Sequence, residues 1–200
     1  MFTNYKKFIA GLLALATGFA VSSNIVSAKA ATPTVLETST TSNISSLSEE
    51  EIAGLLFMRE EEKLARDVYN QLYELWRQPI FKNIAASEQM HMDQIKSLLD
   101  RYDLTDPALG PGQFADPTLQ ALCNQLIAQG SLSLADALNV GALIENTDIA
   151  DLQTHLSQTN QADIQLVYTN LMNASYNHLA AFTGAQSQGY GKGRGNSPRR

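Results

Sequence analysis

Ile84-Ala85-Ala86-Ser87-Glu88-Gln89-Met90-His91-Met92-Asp93-Gln94-Ile95 is the stretch on which the fold turns. Read as a helix, it puts Ile84, Glu88, His91 and Ile95 on one face, and Leu98 and Tyr102 extend that face. The face is otherwise apolar, so it packs inward and takes a carboxylate and an imidazole with it. Burying those two groups unpaired costs on the order of several kcal/mol. In a helical bundle, a Glu-x-x-His pair aimed at the core most often meets a metal ion. A four-residue pattern also recurs by chance. The reading therefore depends on whether other helices aim ligands at the same level.

Upstream, Ser48-Glu49-Glu50-Glu51 is a capping box that opens a first helix over residues 48–77, stopped before Pro79. One stripe of this helix is Leu55, Met58, Glu62, Ala65, Tyr69, Leu72 and Trp76, and Glu62 is its one charge. Glu60 projects elsewhere, toward solvent. Glu61 joins a neighbouring apolar stripe with Phe57, Leu64, Val68 and Leu75, so the helix buries at least one of three consecutive glutamates. The second helix covers residues 79–102. A long connection over 103–117, with Pro107, Pro111, Pro117, Gly110 and Gly112, leads to a short helix over 118–129.

Ser133-Leu134-Ala135-Asp136 is a further capping box and opens a third long helix that runs to about residue 152. Its stripe is Leu134, Leu138, Gly141, Glu145, Asp148 and Leu152, with two carboxylates one turn apart. They repel unless a cation or a shared proton intervenes. The fourth long helix, residues 161–182, has the stripe Ile164, Tyr168, Leu171, Ser175, His178 and Phe182. No convincing strand pattern occurs. The fold class is all-α: a four-helix bundle with a long crossover that contains a short extra helix. Glu62, Glu88, His91, Glu145, Asp148 and His178 lie on its buried stripes. Four carboxylates and two imidazoles suit two iron or manganese ions. His155 lies off this set and reads as a surface residue.

The flanks differ from this body. Residues 1–30 read as a secretory signal: Lys6 and Lys7, an apolar run from Phe8 to Val21, and a small-x-small site at Ala28-Lys29-Ala30. Export to the periplasm or the medium is the expectation. Residues 31–46 form a Ser/Thr-rich flexible linker, 47–183 the helical domain, and 184–200 a disordered Gly-rich basic tail. Lys6, Lys7 and Lys29 belong to the signal, and Lys192, Arg194, Arg199 and Arg200 to the tail. Linker and domain thus hold all 20 acidic residues and only half of the 14 basic ones, which argues against a nucleic-acid partner. Cys123 is the only cysteine, so the chain has no internal disulfide and no paired-cysteine metal site. It shares a stripe with Leu119, Leu122, Leu126 and Ile127 and reads as a small buried apolar residue.

Three motifs carry a resemblance. Glu62-Lys63-Leu64-Ala65-Arg66-Asp67-Val68-Tyr69 resembles the Glu-x-x-Ala-x-x-x-Tyr of the first helix in rubrerythrins, a match that favours Glu62 over Glu61. Glu88-Gln89-Met90-His91 resembles their second-helix Glu-x-x-His. Glu145-Asn146-Thr147-Asp148 resembles the third-helix Glu-x-x-Glu, with Asp in the second place. The fourth helix departs from the pattern, because Ser175-Tyr176-Asn177-His178 stands where Glu-x-x-His is expected. The chain thus resembles the ferritin-like superfamily of di-metal carboxylate proteins. More closely, Met58–Tyr69, Ile84–Met92 and Asn177–Phe182 resemble a bacterial and archaeal ferritin-like family classed as domain of unknown function 2202.

The resemblance implies a fold and a metal site but no particular reaction. The first expectation is a di-iron redox enzyme, an oxidase or peroxidase acting on dioxygen or hydrogen peroxide. Glu88 and Glu145 would bridge two iron (or manganese) ions. Glu62 and Asp148 would be terminal ligands, and His91 and His178 would supply nitrogen. Tyr69 or Tyr168 would hydrogen-bond the ligands or pass an electron, with core packing as the alternative role of both. An external electron donor would be needed. The alternatives are iron handling as a ferroxidase without a storage shell, and a metal-stabilised interaction module. The expected partners include a second copy in a homodimer and exclude a membrane once the signal is removed. The ligand atoms should converge on two points roughly 3.5–4 Å apart. Without metal, Gln in place of Glu88 or Glu145 should stabilise the protein.

Overall fold

The structure, a computed structural model, describes residues 46–187. The signal segment and nearly all of the linker and basic tail lie outside them. Five helices follow in order: α1 (Glu49–Trp76), α2 (Pro79–Arg101), α3 (Pro117–Gly130), α4 (Leu134–Ser157) and α5 (Ala162–Ser187). No strand occurs among the described residues. None of these helices is long and apolar enough to cross a membrane.

The helix ends follow local chemistry. The Ser48 hydroxyl accepts from the Glu51 N–H while the Glu51 carboxylate accepts from the Ser48 N–H, which completes the capping box. α1 stops at Arg77, which adopts a left-handed conformation at φ 54°. Pro79 and Pro117 occupy first-turn positions of α2 and α3, where a missing N–H costs nothing. Ser133 caps α4 by accepting from the Asp136 N–H; its hydroxyl also meets the Asp136 carboxylate, so this box closes through side chains. α4 runs five residues beyond the predicted end at 152, and α5 continues from 182 through Gly184 to Ser187.

The contacts settle the topology. Two residues join α1 to α2 and four join α4 to α5, so each pair is an antiparallel hairpin. Along α1, Glu51 meets Thr159, Tyr69 meets Glu145, and Trp76 meets Gly130, so α1 and α4 are antiparallel. Along α2, Ser87 meets His178 and Tyr102 meets Asp163, so α2 and α5 are antiparallel too. α2 and α4 therefore run the same way, and the chain between them must travel the length of the bundle. α3 lies in that crossover and packs on α1 and α4.

Every residue of the four predicted stripes is buried except Tyr102, which is half-buried. On α5 the buried set is the predicted stripe with nothing added. Apolar residues gather into two clusters. One surrounds Tyr69, Leu72, Trp76, Phe81 and Phe182; the other surrounds Leu55, Met58, Ile95, Leu98 and Tyr168. The polar stripe residues lie between these clusters along the helices.

One expectation about α1 and one about α4 are overturned. Glu60 is not solvated: it is buried, and its Oε1 accepts from the Ala115 N–H at 2.8 Å. All three consecutive glutamates are buried, together with Arg59, Lys63 and Asp67. The cause is the crossover, which lies over this face and whose backbone groups require partners. Lys63 donates to Asp67 and to the Gln113 carbonyl and stands 4.0 Å above the Phe114 ring. Asp67 accepts from the Gly112 N–H, and Arg59 forks onto Asp106. His155 is likewise not a surface residue. It is half-buried between Phe57 and Tyr168 and bonds Gln158.

Candidate metal centre

Glu88 sits at the middle of the polar layer. Its helix turns it and His91 inward one turn apart, while α1 brings Glu62, α4 Glu145 and α5 His178. Two groups form, Glu62 with Glu88 and His91, and Glu88 with Glu145 and His178, and in each the ligand atoms lie within 4.8 Å of one another. Nδ1 of His91 is 2.7 Å from Glu88 Oε2 and 3.1 Å from Glu62 Oε2. Nδ1 of His178 is 3.0 Å from Glu88 Oε1 and 3.4 Å from Glu145 Oε2. Glu88 thus offers one oxygen to each imidazole. The two rings lie nearly parallel, with centroids 5.6 Å apart.

The remaining donors hold this layer in place. Tyr69 donates its hydroxyl to Glu145 Oε1 at 2.6 Å. Ser175 brings its hydroxyl to 2.5 Å from Asp148 Oδ2. His178 Nε2 stands 3.1 Å from Ser87 Oγ. In the neutral ring that metal binding requires, a proton on Nε2 given to Ser87 would leave Nδ1 as the nitrogen with a free lone pair on the carboxylate side.

Several buried atoms lack hydrogen-bond partners: Glu62 Oε1, Glu88 Oε1, Asp148 Oδ1 and His178 Nδ1. The His178–Glu88 contact has the distance of a hydrogen bond without its alignment. Unpaired buried acceptors of this kind are costly and call for an ion or a proton. Oxygen and imidazole donors without a thiolate suit Fe2+ or Mn2+. The residues present therefore fit a pair of such ions.

The electrostatics are uneven. Burial opposes ionisation of Glu88, yet the two imidazoles outweigh it and hold this carboxyl down near 2. Burial, despite His91, pushes Glu62 up to about 8. Burial and the charge of Glu88 push Glu145 up to about 7. Asp148 is raised by burial and by the charges of Glu62 and Glu145. Burial opposes charge on the imidazoles, but the carboxylates prevail, lifting His91 to about 11 and His178 to about 9. Without metal, then, Glu88 is the anion that the imidazolium rings neutralise. This departs from the expectation that Glu88 and Glu145 behave alike.

A family model for an uncharacterized protein domain, DUF2202, matches residues 51–192. The chain belongs to the DUF2202 family. The uncharacterized protein MJ0754 of Methanocaldococcus jannaschii is 52% identical over 138 residues, which span 68% of this chain and 75% of that protein. The crystal structure of the hypothetical protein MJ0754 from Methanococcus jannaschii matches with a TM-score of 0.67, covering 68% of this chain and 79% of that one. A crystal structure of a DUF305 fragment from Deinococcus radiodurans has a TM-score of 0.54 over 70% of this chain and 97% of that one. At 13% identity it shares the helical fold alone.

In this DUF2202 chain, five of the six expected ligands come together in the two groups, and Asp148 stands outside both. Glu62, not Glu61, faces the centre. Glu61 is buried as well, but lies within hydrogen-bonding reach of Asp151. Of the two tyrosines, Tyr69 touches a ligand. Tyr168 does not: its ring packs beside His155 and its buried hydroxyl has no partner. Ser87 was missed, and a serine on the N-terminal side of a buried glutamate gives no signal of its own. Asp151 was missed as well, although it stands three residues after Asp148, on the same side of α4.

Proposed function

We propose that this DUF2202 chain is an exported di-metal carboxylate protein of the ferritin-like superfamily, with iron as its metal and dioxygen or hydrogen peroxide as its substrate. The observation that carries the reading is the pair of Glu/His groups sharing Glu88, buried between two apolar clusters and left with unpaired acceptor atoms. The helix order, with antiparallel hairpins joined by a long crossover, supports the superfamily placement. The apolar run and small-residue site in residues 1–30 support export.

Glu62 and His91 would hold one ion, Glu145 and His178 the other, and Glu88 both. Two such ions, if bound there, would supply one-electron redox chemistry at a shared small-molecule site. The chain's own residues position and insulate. Tyr69 fixes Glu145 through its hydroxyl, and Ser87 fixes the ring of His178. The apolar clusters above and below exclude bulk water. No cysteine pair is present to carry electrons inward, so reducing equivalents come from a separate donor.

The test begins with metal analysis of the protein taken from its native exported fraction, together with the N-terminal sequence of the mature chain. Two irons per chain and peroxide-dependent oxidation of added ferrous ion are expected. Iron that is bound but inert toward both dioxygen and peroxide would leave a metal-stabilised interaction module. Light scattering separates single-site chemistry from storage, because storage requires a shell of many subunits.

A further inference from the structure

Glu62, Glu88 and Glu145 are each 2% exposed and His91 3%, whereas His178 is 9% exposed. His178 is thus the member of the two Glu/His groups most open to solvent. Its Nε2 lies 3.1 Å from Ser87 Oγ, so its ring faces α2 across the α2–α5 seam. Ala174 stands four residues before His178 and Ala181 three after it, which puts both on that same side of α5. Ser87 and Ala174 are half-buried and Ala181 is exposed. At the level of the centre this seam is therefore lined by one hydroxyl, two methyl groups and the edge of an imidazole. A surface cavity of about 390 Å³ opens at its foot, with Ile80 of α2 and Ala181 and Ala185 of α5 in the wall.

The other three seams are closed by longer side chains. Arg66 reaches Gln89 at 2.6 Å between α1 and α2, and Tyr69 reaches Glu145 at 2.6 Å between α1 and α4. The crossover also lies over α1 through Glu60, Lys63 and Asp67, and α3 packs on α1 and α4. Between α4 and α5, Ser175 reaches Asp148 and Gln153 donates to the Tyr176 hydroxyl. Behind the α2–α5 wall, in contrast, two buried ligand atoms have no hydrogen-bond partner: Glu88 Oε1 and His178 Nδ1. Unpaired acceptors of this kind draw a cation inward.

The geometry points to the α2–α5 seam, at Ser87, Ala174 and Ala181, as the port through which divalent cations enter and leave the centre. The Ser87 hydroxyl is a polar contact on that path for an ion shedding its water, and the two alanines leave the width. The inference rests on the dinuclear reading above.

The test fills the seam without touching a ligand. Mature full-length chain is stripped of metal and mixed with Co2+, whose visible absorption reports ligation by oxygen and imidazole. Stopped flow gives the rate of uptake, excess chelator the rate of release, and equilibrium dialysis the number bound and the Kd. Ala174→Leu and Ala181→Leu are expected to slow uptake and release by the same factor, about tenfold, with the number bound and the Kd unchanged. Ala150→Leu, on the exposed face of α4, should leave both rates at the wild-type value. Far-ultraviolet circular dichroism confirms that each variant is folded, and Ala181→Leu, at an exposed position, carries the test if Ala174→Leu does not fold. Wild-type rates in the seam variants would overturn the port. Faster release with weaker affinity would overturn it as well, because that marks a distorted centre. No Co2+ bound by the wild type would sink the dinuclear reading itself.

Discussion

The hydroxyl of Ser175 lies 2.5 Å from Oδ2 of Asp148, across the seam between α5 and α4. A short side chain thus occupies the level where a longer carboxylate would enter the centre, and it anchors one oxygen of Asp148 while leaving the other unpaired. Ser175→Ala removes that anchor from a buried acid. Metal-free protein should lose about 1–2 kcal/mol of stability, as read by urea unfolding. No change in the unfolding midpoint would mean that this contact is idle.

The pH dependence of the metal-free form has a definite sign. Glu62 and Glu145 rise from 4.5 to about 8 and about 7 on folding, so the folded chain binds more protons than the unfolded one. Their contribution is fully present below about pH 4.5 and is lost as pH rises through 7 and 8. The imidazoles act in the same direction. His178 and His91 rise from 6.5 to about 9 and about 11, so their contribution is present below 6.5 and lost as pH climbs through those values. Glu88 acts oppositely, since its contribution is present above 4.5 and lost as pH falls toward 2. The melting temperature of metal-free protein should therefore be highest near pH 5 and fall toward pH 9. Added Fe2+ or Mn2+ should raise it most at the alkaline end, because binding needs deprotonated ligands and a folded site. A flat metal-free profile from pH 5 to 9 would contradict this account.

Glu88 and Glu145 should respond in opposite ways to loss of charge. Glu88→Gln strands two buried imidazolium rings without their shared anion, and metal-free protein should be destabilised by about 3 kcal/mol. Glu145→Gln removes a carboxylate that burial already disfavours and keeps an acceptor for Tyr69. It should raise the metal-free melting temperature at pH 8. Both variants should lose the rescue by metal. Calorimetry with and without Mn2+ at pH 8 checks the pair, and identical shifts for the two variants would refute the asymmetry.

Gly141 is required by packing. A Cβ there would fall 2.5–2.6 Å from three ring carbons of Phe182, whose ring contacts those of Tyr69 and Phe81. Gly141→Ala should cost about 1–3 kcal/mol despite the gain in helix propensity. It should also weaken metal binding by moving Tyr69 off Glu145. Gly184→Ala meets nothing within 4 Å and should stabilise by roughly 0.5–1 kcal/mol. Parallel thermal melts of the two alanine variants decide the matter, and equal effects would remove the packing argument.

By itself the sequence determined what local periodicity can determine. A helix repeats every 3.6 residues, so spacing alone puts Glu62 with Tyr69, Glu88 with His91, Glu145 with Asp148, and Ser175 with His178 on inward faces. Those faces are buried because each helix must remove its apolar stripe from water, and the polar residues between the apolar ones go in with it. Caps and prolines marked the helix starts for the same local reason. The tertiary structure alone decided what lies across from each face. The crossover lies along α1 and satisfies its backbone on Glu60, Lys63 and Asp67, so charges that look solvated in the sequence are buried. His155 is half-buried because Phe57 and Tyr168 approach it from other helices. Glu88, not Glu145, faces both imidazoles, and Ser175 holds Asp148 outside the two groups. These are contacts between residues tens of positions apart. Their geometry depends on how four helices settle against one another, which the spacing within any one helix does not encode.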